Sequence, residues 1–195
     1  MESNWVIPLL GTVVALAVVG IVLLVRAWPR HPPLSAEERA EMANAPMPLL
    51  QKRAWWSFAI GVATFGVIAA ILTDRGAAAY WENDNLRLTV VGIFIGGLFA
   101  HVAILLRPSL KGNRGGGFDE RDRLVLSRAP HAQSAAVILA LATWMIVLSE
   151  RFHDQGAVPM VYLYLIFGTA ILVNLIGQSV GILLGYWIGA DHGES

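Results

Sequence analysis

The sequence predicts an all-α, polytopic membrane protein with five transmembrane helices, and three observations carry that prediction. Of its 195 residues, 56% are hydrophobic and only 14% charged, where a soluble domain carries about 25% charge. The mean hydropathy is +0.59. The apolar residues also gather in five runs, each long enough to supply the roughly 20 residues that cross about 30 Å of hydrocarbon. The same composition excludes other classes. Fourteen Lys and Arg balance fourteen Asp and Glu, so the chain has no basic footprint for nucleic acid. The absence of cysteine excludes disulfides, thiolate metal sites and a cysteine nucleophile.

The spans follow in order along one membrane domain, 1–195. Span one covers 5–25, from Trp5 to Val25, without a charge. Its acidic start, Met-Glu-Ser-Asn, and its length both differ from a cleaved signal peptide, so it is expected to be retained. In the loop 26–53, Pro29, Pro32 and Pro33 stop the helix. Ser35 and Glu38 then hold capping-box spacing for a short surface helix reaching about Asn44, ended by Pro46 and Pro48. Span two is 54–73 and span three 88–106. The loop 107–130 contains Gly115, Gly116 and Gly117. No Gly-Lys-Ser/Thr follows them, so they read as a hinge and not a phosphate cradle. A helix is expected after the hinge, with Asp119 and Glu120 at the positive end of its dipole and Asp119 within reach of Arg123. Pro130 is expected to break or kink it. Span four is 131–149, and span five, 158–188, is long enough to tilt.

Lys and Arg resist translocation, so their distribution sets orientation. Eleven lie in the two long loops and their flanks, while Arg75, Arg87 and Arg151 alone lie on the other side. This predicts an N-terminus outside and a C-terminus inside, in the bacterial cytoplasmic membrane. Aromatic belts agree: Trp5, Tyr80, Trp81, Tyr162 and Tyr164 at the outer interface, Trp28, Trp55, Trp56, Tyr186 and Trp187 at the inner one.

The charged motif Asp119-Glu120-Arg121-Asp122 stands just ahead of the hairpin formed by spans four and five. Over about Asp119 to Ala129 the chain resembles a family of small, uncharacterised bacterial and archaeal integral membrane proteins. The resemblance implies a membrane location and a hairpin architecture, without implying a reaction. An internal repeat is also legible. Arg53-Ala54 opens span two and Thr73-Asp74-Arg75 closes it; Arg128-Ala129 opens span four and Ser149-Glu150-Arg151 closes it. Such a repeat would place two parallel hairpins side by side, with span one added.

Two sets of residues are candidates for function. Gly177, Gly181, Gly185 and Gly189 recur every four residues in span five, and Asn174 and Gln178 share their arc. Small residues let helix backbones approach closely in lipid, so this face is expected to pack against another helix, of this chain or of a partner. Gly92 and Gly96 repeat the spacing in span three. The second set is His101, inside span three, with His131 at the mouth of span four. An ionisable group within a membrane is a functional candidate, either a helix-to-helix hydrogen bond or a ligand to haem, chlorophyll or quinone.

The missing reactive constellations favour a non-enzymatic accessory or structural subunit that packs against lipids, other membrane subunits or itself. No span holds a central carboxylate, and no zinc-protease motif is present. Two alternatives stand beside it. One is a cofactor-binding subunit with His101 as ligand. The other is a small transporter or channel with Asn174, Gln178 and His101 along a polar path. No cofactor is required by the sequence.

Overall fold

The computed structural model describes residues 47–110 and 120–191. Span one, the surface helix expected at 35–44, the glycine run and Asp119 lie outside the described residues. Four helices carry the fold: α1 (Leu49–Glu82), α2 (Asp84–Leu110), α3 (Glu120–Phe152) and α4 (Met160–Asp191), with a 3-10 turn (His153–Gln155) between the last two. All four are long and apolar enough to cross a membrane, the build of a multi-pass membrane protein. Helices suit that solvent because every backbone hydrogen bond closes within the segment.

The first three helices outrun the spans expected for them at both ends and α4 does so at its C-terminal end, because hydrogen bonding continues past the apolar stretch into polar flanks. Pro48 stands at the N-cap of α1, and Lys52 N–H donates to its carbonyl at 3.0 Å. At the far end, Gly76 takes φ 83 and ψ 158 and breaks the helix. That conformation is open to glycine and disfavoured for other residues. The short turn beyond it carries Tyr80 into the core, where it is 6% exposed. Asn83 joins the two helices: its N–H donates to Ala79 O, and its side-chain oxygen accepts from Leu86 N–H at 3.1 Å. It thereby satisfies donors at the start of α2 that have no helical partner.

The expected break at Pro130 does not occur. The helix runs through it from Glu120 to Phe152, with Pro130 on an exposed face. Proline removes one N–H and crowds the preceding turn. Here the buried neighbours Ala129 and Ala132 lie against α4, and this packing on the opposite face holds the rod together.

The chain runs up and down, so the turns at Asn83 and at 153–159 share one end of the bundle. Two apolar clusters mark the two ends. At the turn end, Leu72, Tyr80, Val90, Trp144, Leu148, Phe152, Val161 and Tyr162 form one core. At the open end, Leu50, Ala54, Val125, Ala129, Ile182 and Tyr186 form the other. The principal packed pairs are α3 with α4, α1 with α4 and α1 with α2, so the spatial order is α2, α1, α4, α3. The aromatic belts divide. Trp55, Trp56, Trp81, Tyr164 and Trp187 are exposed, as interfacial rings should be, whereas Tyr80, Tyr162 and Tyr186 are buried in the two cores.

Candidate functional site: a buried histidine and two glycine faces

His101 is 1% exposed and heads a hydrogen-bond chain that runs through α1 to α4. Ser57 of α1 meets its Nδ1 at 2.7 Å. Ser179 of α4 donates to Ser57 Oγ at 2.8 Å, its proton shared with the Leu175 carbonyl at 3.1 Å. Ser57 thus stands between the two, and the direction of its bond to Nδ1 follows the imidazole tautomer. All three side chains are at most 2% exposed. In an apolar medium such groups must find one another, and the network joins α1, α2 and α4 at one level.

The 2.7 Å contact has the length of a nucleophile–base pair. Its setting is that of a tie: Ser57 is engaged from both sides, and the hydrogen-bond partner of His101 among the described residues is Ser57. His131 is exposed on α3 and makes no hydrogen bond or ring contact with His101.

The glycine face of α4 is occupied within the chain. A Cβ on Gly177 would lie 3.1 Å from Ala136 Cβ and from Gln133 Cα. On Gly181 it would lie 2.9 Å from the Ala129 carbonyl oxygen, and on Gly185 2.9 Å from Val125. The facing surface of α3 is itself small, with Ala129, Ala132, Ala136 and Ala140 at most 1% exposed. Two small-residue stripes thus meet, which is how helices gain contact where lipid removes the hydrophobic drive between them. Asn174 joins this seam through Gln133, whose Nε2 donates to its Oδ1 at 2.7 Å. Gln178 is half-buried on the same helix, and Gly189 lies in its last turn. Of the two uses expected for this face, packing inside the chain is the one observed.

The second glycine pair behaves differently among the described residues. A Cβ on Gly92 or Gly96 would meet nothing within 4 Å, and both glycines are exposed. The close approach is made by the next residue, Gly97, where a Cβ would collide with the Thr64 side chain. His101 follows Gly97 by four residues and so faces the same way. The pair was read on spacing alone, and spacing does not say which face of an all-apolar helix turns inward.

At the open end, Tyr186 O–H donates to the Asp122 carboxylate. Tyr186 is 2% exposed, so the charged motif's fourth residue reaches across to the end of α4. Glu120 and Arg121 stand in the first turn of α3. Sequence reasoning did not find Ser57, Ser179, Gly97 or the Tyr186 partner. Only the alignment of Ser57 with the small, inward residues of α1 hints at the first.

No family model, no curated protein and no solved structure matches the chain.

Proposed function

We propose that the chain is a non-catalytic accessory subunit of the bacterial cytoplasmic membrane, with its C-terminus inside, and that it joins a larger membrane assembly through α2. The observation that carries this reading is the small-residue stripe of that helix, which no described residue covers. Gly92 and Gly96 are open, and Leu88, Ile95 and Phe99 beside them are 68%, 43% and 70% exposed. The chain uses the same spacing on α4 as a packing surface, so α2 offers an equivalent surface with no described neighbour. Orientation rests on the Lys and Arg asymmetry of the loops.

A repeat accords with this reading. Leu50, Ala54, Ser57 and Gly61 of α1 are buried at the same spacing as Val125, Ala129, Ala132 and Ala136 of α3. Two related hairpins would then differ in that one has its outer face filled and the other does not.

Because the chain contains no cysteine, a single introduced one reports its neighbours cleanly. Gly96→Cys, oxidised or bridged with a short bifunctional reagent in native membranes, is expected to link the chain to another polypeptide or to a second copy. A chain that stays unlinked there, and migrates as a monomer in mild detergent, would overturn the proposal. Partners recovered with the wild type and lost with Gly92→Leu/Gly96→Leu would identify the assembly.

A further inference from the structure

The two ends of the bundle treat their cations differently. At the turn end, Arg75 pairs with Asp74 and Arg87 with Asp84. At the open end, the side chains of Lys52, Arg53 and Arg123 make no ion pair or hydrogen bond with any described residue. Packing brings this end to one level. Arg53 and Arg128 each precede a buried alanine, Ala54 of α1 and Ala129 of α3, and both alanines belong to one core with Ile182 and Tyr186 of α4. Two helices that start far apart in sequence therefore present cations at the same depth. Lys52 and Arg123 are exposed beside them. The carboxylate of Asp122 at this end already accepts from Tyr186. Glu120 and Asp191 lie nine residues beyond Ala129 and Ile182, about 13 Å farther out along their helices. Just inside the cations of α1 come Trp55 and Trp56, 50% and 61% exposed. Indole rings settle at the headgroup level of a bilayer, so the order of cation then indole along α1 sets the charges at the height of lipid phosphates.

We propose that the open end is a binding surface for an anionic phospholipid, whose phosphate is drawn to Lys52, Arg53 and Arg123, with Arg128 adding a fourth charge, and whose acyl chains lie along Trp55 and Trp56. Guanidinium and ammonium groups are the phosphate-binding side chains. A zwitterionic lipid offers the same phosphate but carries its own ammonium, which the cluster repels. The surface therefore selects by headgroup charge. It lies on α1 and α3, away from the Gly92/Gly96 stripe, and stands whether or not α2 binds a partner.

The test uses the full chain in a neutral detergent, titrated with dioleoylphosphatidylglycerol, and with dioleoylphosphatidylcholine as the control with identical tails. Retained lipid is counted by native mass spectrometry. Wild type is expected to prefer phosphatidylglycerol, and the preference should shrink as ammonium acetate is raised, because salt screens exposed charges. Each cation near an anionic lipid surface is worth roughly fivefold in affinity. Lys52→Gln/Arg53→Gln should therefore weaken phosphatidylglycerol binding about twentyfold, with the lipid-free thermal midpoint unchanged, since neither side chain has a described partner to lose. Arg53→Lys should keep most of the binding. Arg75→Gln, at the end where the cation is already paired, should leave the preference as it is. Equal affinity of wild type for the two lipids would overturn the proposal. So would wild-type binding by the double variant, or a loss in Arg75→Gln as large as in the double variant. Displacement of the bound lipid by inorganic phosphate would also overturn it, assigning the cations to a soluble anion.

Discussion

The two hairpins of this bundle are built from similar material and packed to different degrees. In the most apolar stretch of α2 only 11% of residues are buried, against 33% in α3 and α4. The α3–α4 pair meets along Gly177, Gly181 and Gly185 on one side and a ladder of alanines on the other. The α1–α2 pair meets at fewer points, Gly97 on Thr64 and His101 on Ser57. A Gly-x-x-x-Gly spacing is present in both hairpins. It closes a seam only where the opposing helix also offers small side chains, since backbone approach needs both surfaces to be low. The first hairpin substitutes a polar tie for the missing seam.

That contrast is open to direct attack. The largest effect is expected from Gly181→Leu, which drives a side chain into the Ala129 backbone. Overpacking of this kind costs about 1–3 kcal/mol and more where backbone must move. Thermal unfolding in detergent should show a markedly lowered midpoint, while Gly92→Leu, with open space around it, leaves the midpoint of the isolated chain unchanged. Equal effects at the two positions would mean that the hairpins are not packed differently.

A smaller effect is expected at the polar tie. Ser57→Ala removes the hydroxyl between His101 and Ser179, and interhelical hydrogen bonds in membranes average about 0.6 kcal/mol, reaching about 1.7. The loss should be local to the first hairpin. Hydrogen exchange of α2 should quicken while that of the α3–α4 seam holds. Quickening spread evenly over all four helices would refute a local tie.

The smallest effect lies at the turn end, where the first hairpin enters the shared core. Burial raises the phenol of Tyr80 above its ordinary value of 10.0, with Arg87 opposing and Tyr164 adding to the rise. The folded chain thus favours the neutral phenol. Its contribution to stability is complete below about pH 10 and is lost as pH climbs through the raised folded value. An ultraviolet titration should lose a tyrosine that ionises above 10.0 in Tyr80→Phe. Loss of an early-ionising one would place Tyr80 in solvent.

Much of this architecture was legible from composition. The positions of spans two to five follow from apolar run length, because lipid thickness imposes it. The faces were not legible. In water a helix advertises its inner side by contrast with a polar outer side. In lipid both sides are apolar, so Gly96 and Gly97 look alike, although one is open and the other sits against Thr64. The His101 network stayed hidden for the same reason, since its serines lie 44 residues before and 78 residues after it in sequence. At Pro130 the packing of Ala129 and Ala132 against α4 outweighs the local penalty, so the helix is unbroken there.

The α3 rod, with 33 residues, is about 50 Å long at 1.5 Å per residue, against about 30 Å of hydrocarbon in a bilayer. Even tilted, a helix of that length carries a turn or more past the oil. Asp122 near the start of α3 meets Tyr186 near the end of α4. The overhang of one helix is thus tied to the overhang of its neighbour, and the α3–α4 pair is clamped at the open end as well as by the turn at its other end.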